Sequence, residues 1–182
     1  MRKVVLLETR NFLESYSCED RDILDAEKRA LWKAFSIYGI VPPHDLFDRL
    51  KENYAIELYS LDGRQIWRNL ACLELCSYTL EEIACLSVFD RYERPTFIER
   101  KCINEVEALL CERRADIFDP NIMIHTAKEV SSEFHFTLSL KHDLFASLRG
   151  RNGELKAWLA MTLGELVNEG SAPAEVGNVD DR

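Results

Sequence analysis

Six cysteines and four histidines are the residues of this chain best suited to hold a metal or attack a substrate. Cys72 and Cys76 stand four apart, a spacing that puts both thiols on one face of a helix. Structural zinc takes closely spaced thiolate pairs, and no second pair with suitable spacing follows, so these two are expected to pack in a core and no metal is expected. Cys18, Cys85, Cys102 and Cys111 are dispersed; most of the cysteines sit in apolar patterns, as buried free thiols do. A nucleophile needs a base, and the base an orienting group. His142 and Asp143 are adjacent, and neighbours on a strand point to opposite faces, so they do not make such a couple. Glu81-Glu82 sits at a helix start beside a cap, where it suits solvent better than acid–base work across a substrate. The seven glycines are scattered and form no phosphate-cradling loop. From these patterns no enzymatic activity is expected.

The 182 residues predict one domain, or one domain with a short extension, and a 47% hydrophobic share supplies its core. The formal net charge of −9 argues against a nucleic-acid partner, which needs clustered Lys and Arg, and against an anionic membrane surface. Arg113-Arg114, Arg149 and Arg151 are the densest basic points, and each is interleaved with acidic or apolar residues. The N-terminal run Val4-Val5-Leu6-Leu7 is cut off by Glu8, too short for a signal peptide or a membrane span. A cytoplasmic protein with reduced cysteines is expected.

Candidate sites need elements to position them. Residues 1–16 read as a short strand or the first turns of a helix. Ser17 is a candidate cap for a helix over 19–38, with Leu31, Ala34, Phe35 and Tyr38 on its apolar stripe, Gly39 ending it and Pro42-Pro43 preventing continuation. A second short helix is predicted over 45–53. Residues 55–61 alternate as a strand does, Asp62-Gly63 signals a hairpin turn, and 65–68 is the returning strand. Asn69 opens a helix, and Thr79 with Glu82 opens another as a capping box. Residues 87–94 read as a turn or a single helical turn. A long helix from Pro95 to Arg114 carries an inner stripe of Ile98, Cys102, Val106, Leu109 and Leu110. Residues 115–132 read as irregular. Three strand runs close the domain, over 134–141, 144–148 and 155–167, and residues from 169 on read as a disordered tail. The order predicts an α+β layer.

Asp62-Gly63-Arg64-Gln65-Ile66-Trp67-Arg68-Asn69 resembles the turn, second strand and helix-opening Asn of PAS domains. Leu70 to Ile83 is similar to their next two helices, which commonly carry Gly-Tyr-Ser or Gly-Tyr-Thr and then Glu-Glu; here Ser77 stands where the Gly is usual, followed by Tyr78, Thr79 and Glu81-Glu82. Lys141-His142-Asp143 resembles a degraded Lys-Asp-Gly turn, and Arg151-Asn152-Gly153 the final hairpin. The resemblance covers about residues 50–167 and implies a five-stranded antiparallel sheet with helices on one face. It divides the chain into an N-terminal helical extension or cap (1–50), a PAS-like domain (51–168) and a tail (169–182). Asp62, Gly63, Asn69 and Tyr78 are its fold-making residues.

The resemblance also implies a function class: a sensor or interaction module with a pocket between long helix and sheet. Flavin photosensors of this kind carry an adduct cysteine at a position that falls on Val88 here, with Cys85 three residues early, so no flavin adduct is expected. Haem-binding members take a His from the long helix, and 95–114 contains none; haem through His125, in the irregular segment, is not expected either. No cofactor is therefore expected. Ile66, Ile98, Cys102, Val106 and Leu109 are the candidate pocket residues, with room for a small apolar, uncharged ligand. Trp67 and Trp158 are read as an outer-face patch, covered by Leu31, Phe35 and Tyr38 of the first helix within the chain or from a partner chain. The expectation is a stand-alone module that signals through a homodimer or another protein partner, with a ligand-carrying or haem sensor as the alternative and a small enzyme as the third reading.

Overall fold

The computed structural model describes residues 23–130, 132 and 134–167. The strand or helix expected in 1–16, the Ser17 cap, Cys18, the first residues of the predicted 19–38 helix and the tail lie outside them. The amphipathic pattern yields α1 (Ile23–Tyr38), which buries Leu31, Ala34 and Phe35 and ends at Gly39 with φ +65°. Two residues of β1 (Ile40–Val41) follow, and then a helix shorter than predicted, α2 (Leu46–Arg49). β2 (Ala55–Ser60) and β3 (Gln65–Arg68) form the expected hairpin. Gly63 has φ +79° at its turn, and a Cβ there would lie 2.9 Å from Ser87 Oγ.

Asn69 caps α3 (Leu70–Leu75) by accepting from Cys72 N at 3.1 Å, and Thr79 with Glu82 forms the capping box of α4 (Leu80–Cys85). A short strand, β4 (Tyr92–Glu93), stands where a turn was expected. The long helix α5 (Thr96–Leu110) starts directly after Pro95 and stops before Arg114. The supposedly irregular 115–132 contains β5 (Ile117–Phe118) and β6 (His125–Glu129). β6 escapes sequence reading because its buried residues are His125, Ala127 and Glu129: the burial alternates, but the hydrophobicity does not.

β7 (Thr137–Gly150) and β8 (Leu155–Leu166) complete the sheet. Lys141-His142-Asp143 is not a turn. β7 runs straight through it with a bulge between His142 and Leu144, so two of the predicted strand runs are one strand. Asp143 at the bulge accepts from Lys51 Nζ (2.8 Å) and Tyr54 Oη (2.9 Å) and pairs with Lys141 Nζ (2.7 Å). That cluster fastens the approach to β2 onto β7.

The strands are antiparallel in the order β3-β2-β8-β7-β6-β4, with β1 and β5 also pairing to β7. The fold is an α+β layer with α3, α4 and α5 on one face of the sheet. The other face is covered as well: Leu31, Phe35, Leu46 and Leu50 from α1, α2 and their flanks share one core with Ile56, Leu58, Leu148 and Leu159 of the sheet. The sheet is thus a middle layer. Among the described residues no helix is long and apolar enough to cross a membrane.

Candidate functional site

Between α5 and the sheet lies a cavity of about 50 Å³, room for a few water molecules or one very small ligand. The wall from α5 is apolar, made by Cys102 and Val106. The sheet wall is not. Period-2 alternation turns Ala55, Glu57 and Tyr59 of β2 inward, and β7 and β8 add His142, Trp158 and Thr162. Cys72 and Leu75 of α3, with Cys76 at its C-cap, close one side, and Val88, Tyr92 and Arg94 another.

Glu57 carries the negative charge of this wall. It accepts from Gln65 Nε2 at 2.6 Å and lies 3.7 Å from Nη2 of Arg91, which is fully buried. The same Nη2 donates to Tyr59 Oη at 2.7 Å, and Tyr59 stacks on Trp158 with ring centroids 4.2 Å apart. Burial pushes the Tyr59 phenol up, so it stays protonated. The backbone carbonyl of Arg91 accepts from Tyr78 Oη and from Val130 N, which anchors the segment that delivers the guanidinium. Cys72 and Cys76 hydrogen-bond each other. That bond, with burial, holds the Cys72 thiol up; the same bond, with Arg68 Nη1 3.3 Å from Cys76 Sγ, draws Cys76 down.

His142 stands in the cavity wall, and the ring of His125 lies 5.4 Å from its own. His125 Nδ1 donates to the Met123 carbonyl at 3.0 Å, and His142 Nδ1 meets Thr162 Oγ1 at 2.9 Å. Burial pushes His142 down to about 3, helped by His125 and by Arg94. Burial also lowers His125. Both rings are therefore neutral at pH 7. Nε2 of each histidine, Nε of Arg94 and Nε1 of Trp158 are buried with no hydrogen-bond partner in the protein.

His142 and Thr162 have the contact of a base and a hydroxyl nucleophile. A base that titrates near 3 removes little proton density at neutral pH, and no carboxylate orients the ring through Nε2. Two histidines supply only two donors, and among the described residues no group of three or more potential ligands surrounds a metal position.

The sequence-predicted residues divide between the faces. Cys102 and Val106 reach the cavity wall; Ile98 and Leu109 sit in the same buried cluster behind it. Ile66 is corrected to the opposite face. β2 pairs Leu58 with Trp67 and then Tyr59 with Gln65, leaving Ile66 as the extra residue of a bulge. A bulge breaks the alternation, so Ile66 and Trp67 both pack against the α1 core. Trp158 is corrected the other way: it pairs with Tyr59, not with the outward Leu58, and lines the cavity. Leu31 and Phe35 are buried on the outer face, and Tyr38 donates to the Ile66 carbonyl at 3.4 Å.

Asn69 also accepts from Ile56 N (2.9 Å) and donates to the Tyr54 carbonyl (2.8 Å), so it ties helix to strand as well as capping. Asp62 accepts from Ser60 Oγ in the hairpin turn. Ser77, at the position where glycine is usual, donates through its backbone to buried Glu129 at 2.8 Å. Glu57, Arg91, Arg94, His142 and Thr162 were not singled out from the sequence as site residues. The one available signal was an acid in the inward phase of an alternating strand.

No family model matches the chain, and no curated protein does. Solved structures do resemble it. The PAS-B domain of Drosophila melanogaster Cycle, with bound ethylene glycol, matches with a TM-score of 0.45 and 8% identity over 62% of this chain and 99% of that one. The light-state dimer of the fungal blue-light photoreceptor Vivid matches with a TM-score of 0.45 and 12% identity over 66% of this chain and 83% of that one.

Proposed function

We propose that the chain is a PAS-like signalling module that acts by protein–protein contact, and that a small ligand in the cavity gates this contact. One observation carries the reading: β2 separates the two events by the thickness of a single strand. Its Glu57 and Tyr59 line the cavity, while its Ile56 and Leu58 pack against the core of α1. A ligand that draws α5 and the sheet together would bias the seat of α1 through those alternate residues.

The contact surface in this reading is the outward side of α1, where Trp32 is 55% and Ile37 80% exposed. Large exposed apolar groups favour a protein contact, and a second copy of the chain is the first partner to test. The free thiols of Cys72, Cys76, Cys85, Cys102 and Cys111 support a reducing, cytoplasmic setting. Neutral, weakly basic histidines support binding over catalysis.

Light scattering on the full chain tests the contact. A dimer that becomes a monomer in the Trp32→Ser/Ile37→Ser variant, with the thermal melt unchanged, is the expected result. A wild-type monomer at all concentrations would remove self-association and leave a different protein as partner.

A further inference from the structure

We propose that the cavity takes a small oxygen-bearing monoanion of about three or four heavy atoms, the size and charge of formate, nitrite or nitrate, held by Arg94 with Trp158 and His142 as hydrogen-bond donors. This deepens the ligand-gating reading above and rests on it.

The argument starts from charge. The cavity wall contains one carboxylate, Glu57, and it is already engaged by Gln65 and by buried Arg91. Arg94 is the cation that lines the wall itself, Arg91 lying behind it, and among the described residues no carboxylate lies within ion-pair distance of Arg94. Its field is felt inside: it adds to the burial that lowers His125 and His142, and it works against the burial that raises the Cys102 thiol. A partly buried guanidinium without a counter-charge is costly, and an anion relieves that cost.

Donor chemistry gives the same answer. Arg94 Nε and Trp158 Nε1 can only donate, and both are buried without a protein partner. His142 joins them when the Thr162 hydroxyl donates to its Nδ1, which leaves the proton on Nε2. His125 Nε2, left an acceptor by the Nδ1–H bond to Met123, is not among the groups lining the cavity, so the wall itself offers donors and needs an acceptor. An apolar ligand would cover these groups and satisfy none. A metal cation would meet the charge of Arg94 with only two imidazoles to hold it. Size sets the last limit, because about 50 Å³ excludes an aromatic acid or a nucleotide unless the walls part.

The test uses the full chain and nuclear magnetic resonance of the Trp158 indole N–H, assigned by its loss in Trp158→Phe. Sodium formate, nitrite and nitrate are titrated at constant ionic strength against sodium chloride, with formamide as the neutral control. The expected result is a saturable shift with at least one of the three anions, little with formamide, and affinity weakened about tenfold or more in Arg94→Gln, with Arg94→Lys in between. Equal binding of formamide, or equal affinity in folded Arg94→Gln, would overturn the anion while leaving ligand gating intact. If Arg94→Gln does not fold, the anion-against-formamide comparison in wild type decides. Failure of the three anions, with a neutral molecule found in the purified protein by native mass spectrometry, would also overturn the anion alone. No saturable shift with any probe and a ligand-free mass would overturn both.

Discussion

On β2, Ile56 and Leu58 face α1, whereas Glu57 and Tyr59 face the cavity, and this contrast extends across the sheet. The α1 side is closed by aliphatic and aromatic groups: Leu31 and Phe35 above, Leu58, Leu148, Leu159 and Met161 below. The α5 side mixes an apolar helix stripe with Glu57, Arg91, His142 and Thr162, several of them buried and one histidine held far from its ordinary titration. Burying polar groups costs free energy unless each is bonded, so a face that only had to seal a core would resemble the α1 side. The difference teaches where to look for activity: both faces fold the protein, and one of them carries polar groups that the fold alone does not require.

The largest expected effect tests the polar side. Arg91→Met leaves Glu57 without its buried cation and should cost about 3–5 kcal/mol. Adding Glu57→Gln should restore more than half of that loss, because the unpaired charge is then gone. Urea denaturation of both variants reads this directly. A single variant as mild as a surface change would mean that Glu57 does not depend on Arg91.

On the sealed side, Leu58→Ala removes a side chain with no exposure at all. It should cost about 2–5 kcal/mol, and no charge change elsewhere should rescue it. Rescue of Leu58→Ala by a polar substitution across the sheet would erase the distinction between the faces.

The sealed side was the more legible in the sequence, because it is built from hydrophobic periodicity. Leu31 and Phe35 fall on the helical stripe, Gly39 and Gly63 mark real turns, and Asn69 and Thr79 cap real helices. The polar side was less legible for two physical reasons. Buried His125 and Glu129 hide the alternation of β6, so a strand reads as a loop. Bulges at Ile66 and at Asp143 shift the phase of β3 and β7, and with it the face on which each later side chain lands. His142 then reads as a turn residue when it stands in a cavity wall. Trp158 went wrong differently: its alternation is regular, but which phase of β8 faces inward is fixed by pairing with Tyr59, a contact about a hundred positions away in the chain.

The smallest predicted effect separates the faces by pH. The aliphatic groups of the α1 core do not titrate, so their contribution is flat; Glu27, buried on α1 itself, is the titrating exception on that side. His142 is different, because burial, with His125 and Arg94, pushes it from 6.5 down to about 3 in the folded chain. Between those values the unfolded state binds the proton and the folded state does not, so stability rises with pH across the window. The contribution is full above about pH 6.5 and is lost as pH falls toward 3. At pH 5.5 the loss relative to pH 8 should be about 1.4 kcal/mol. His125 acts in the same direction, while Glu27, raised chiefly by burial, acts in the opposite one, so the wild-type curve alone does not isolate His142. The difference between wild type and His142→Gln does. Urea midpoints from pH 8 to pH 4 should converge as pH falls, the variant losing less than the wild type. Parallel curves would show that His142 is not held neutral by its surroundings, and would place it in the same class as the groups of the sealed face.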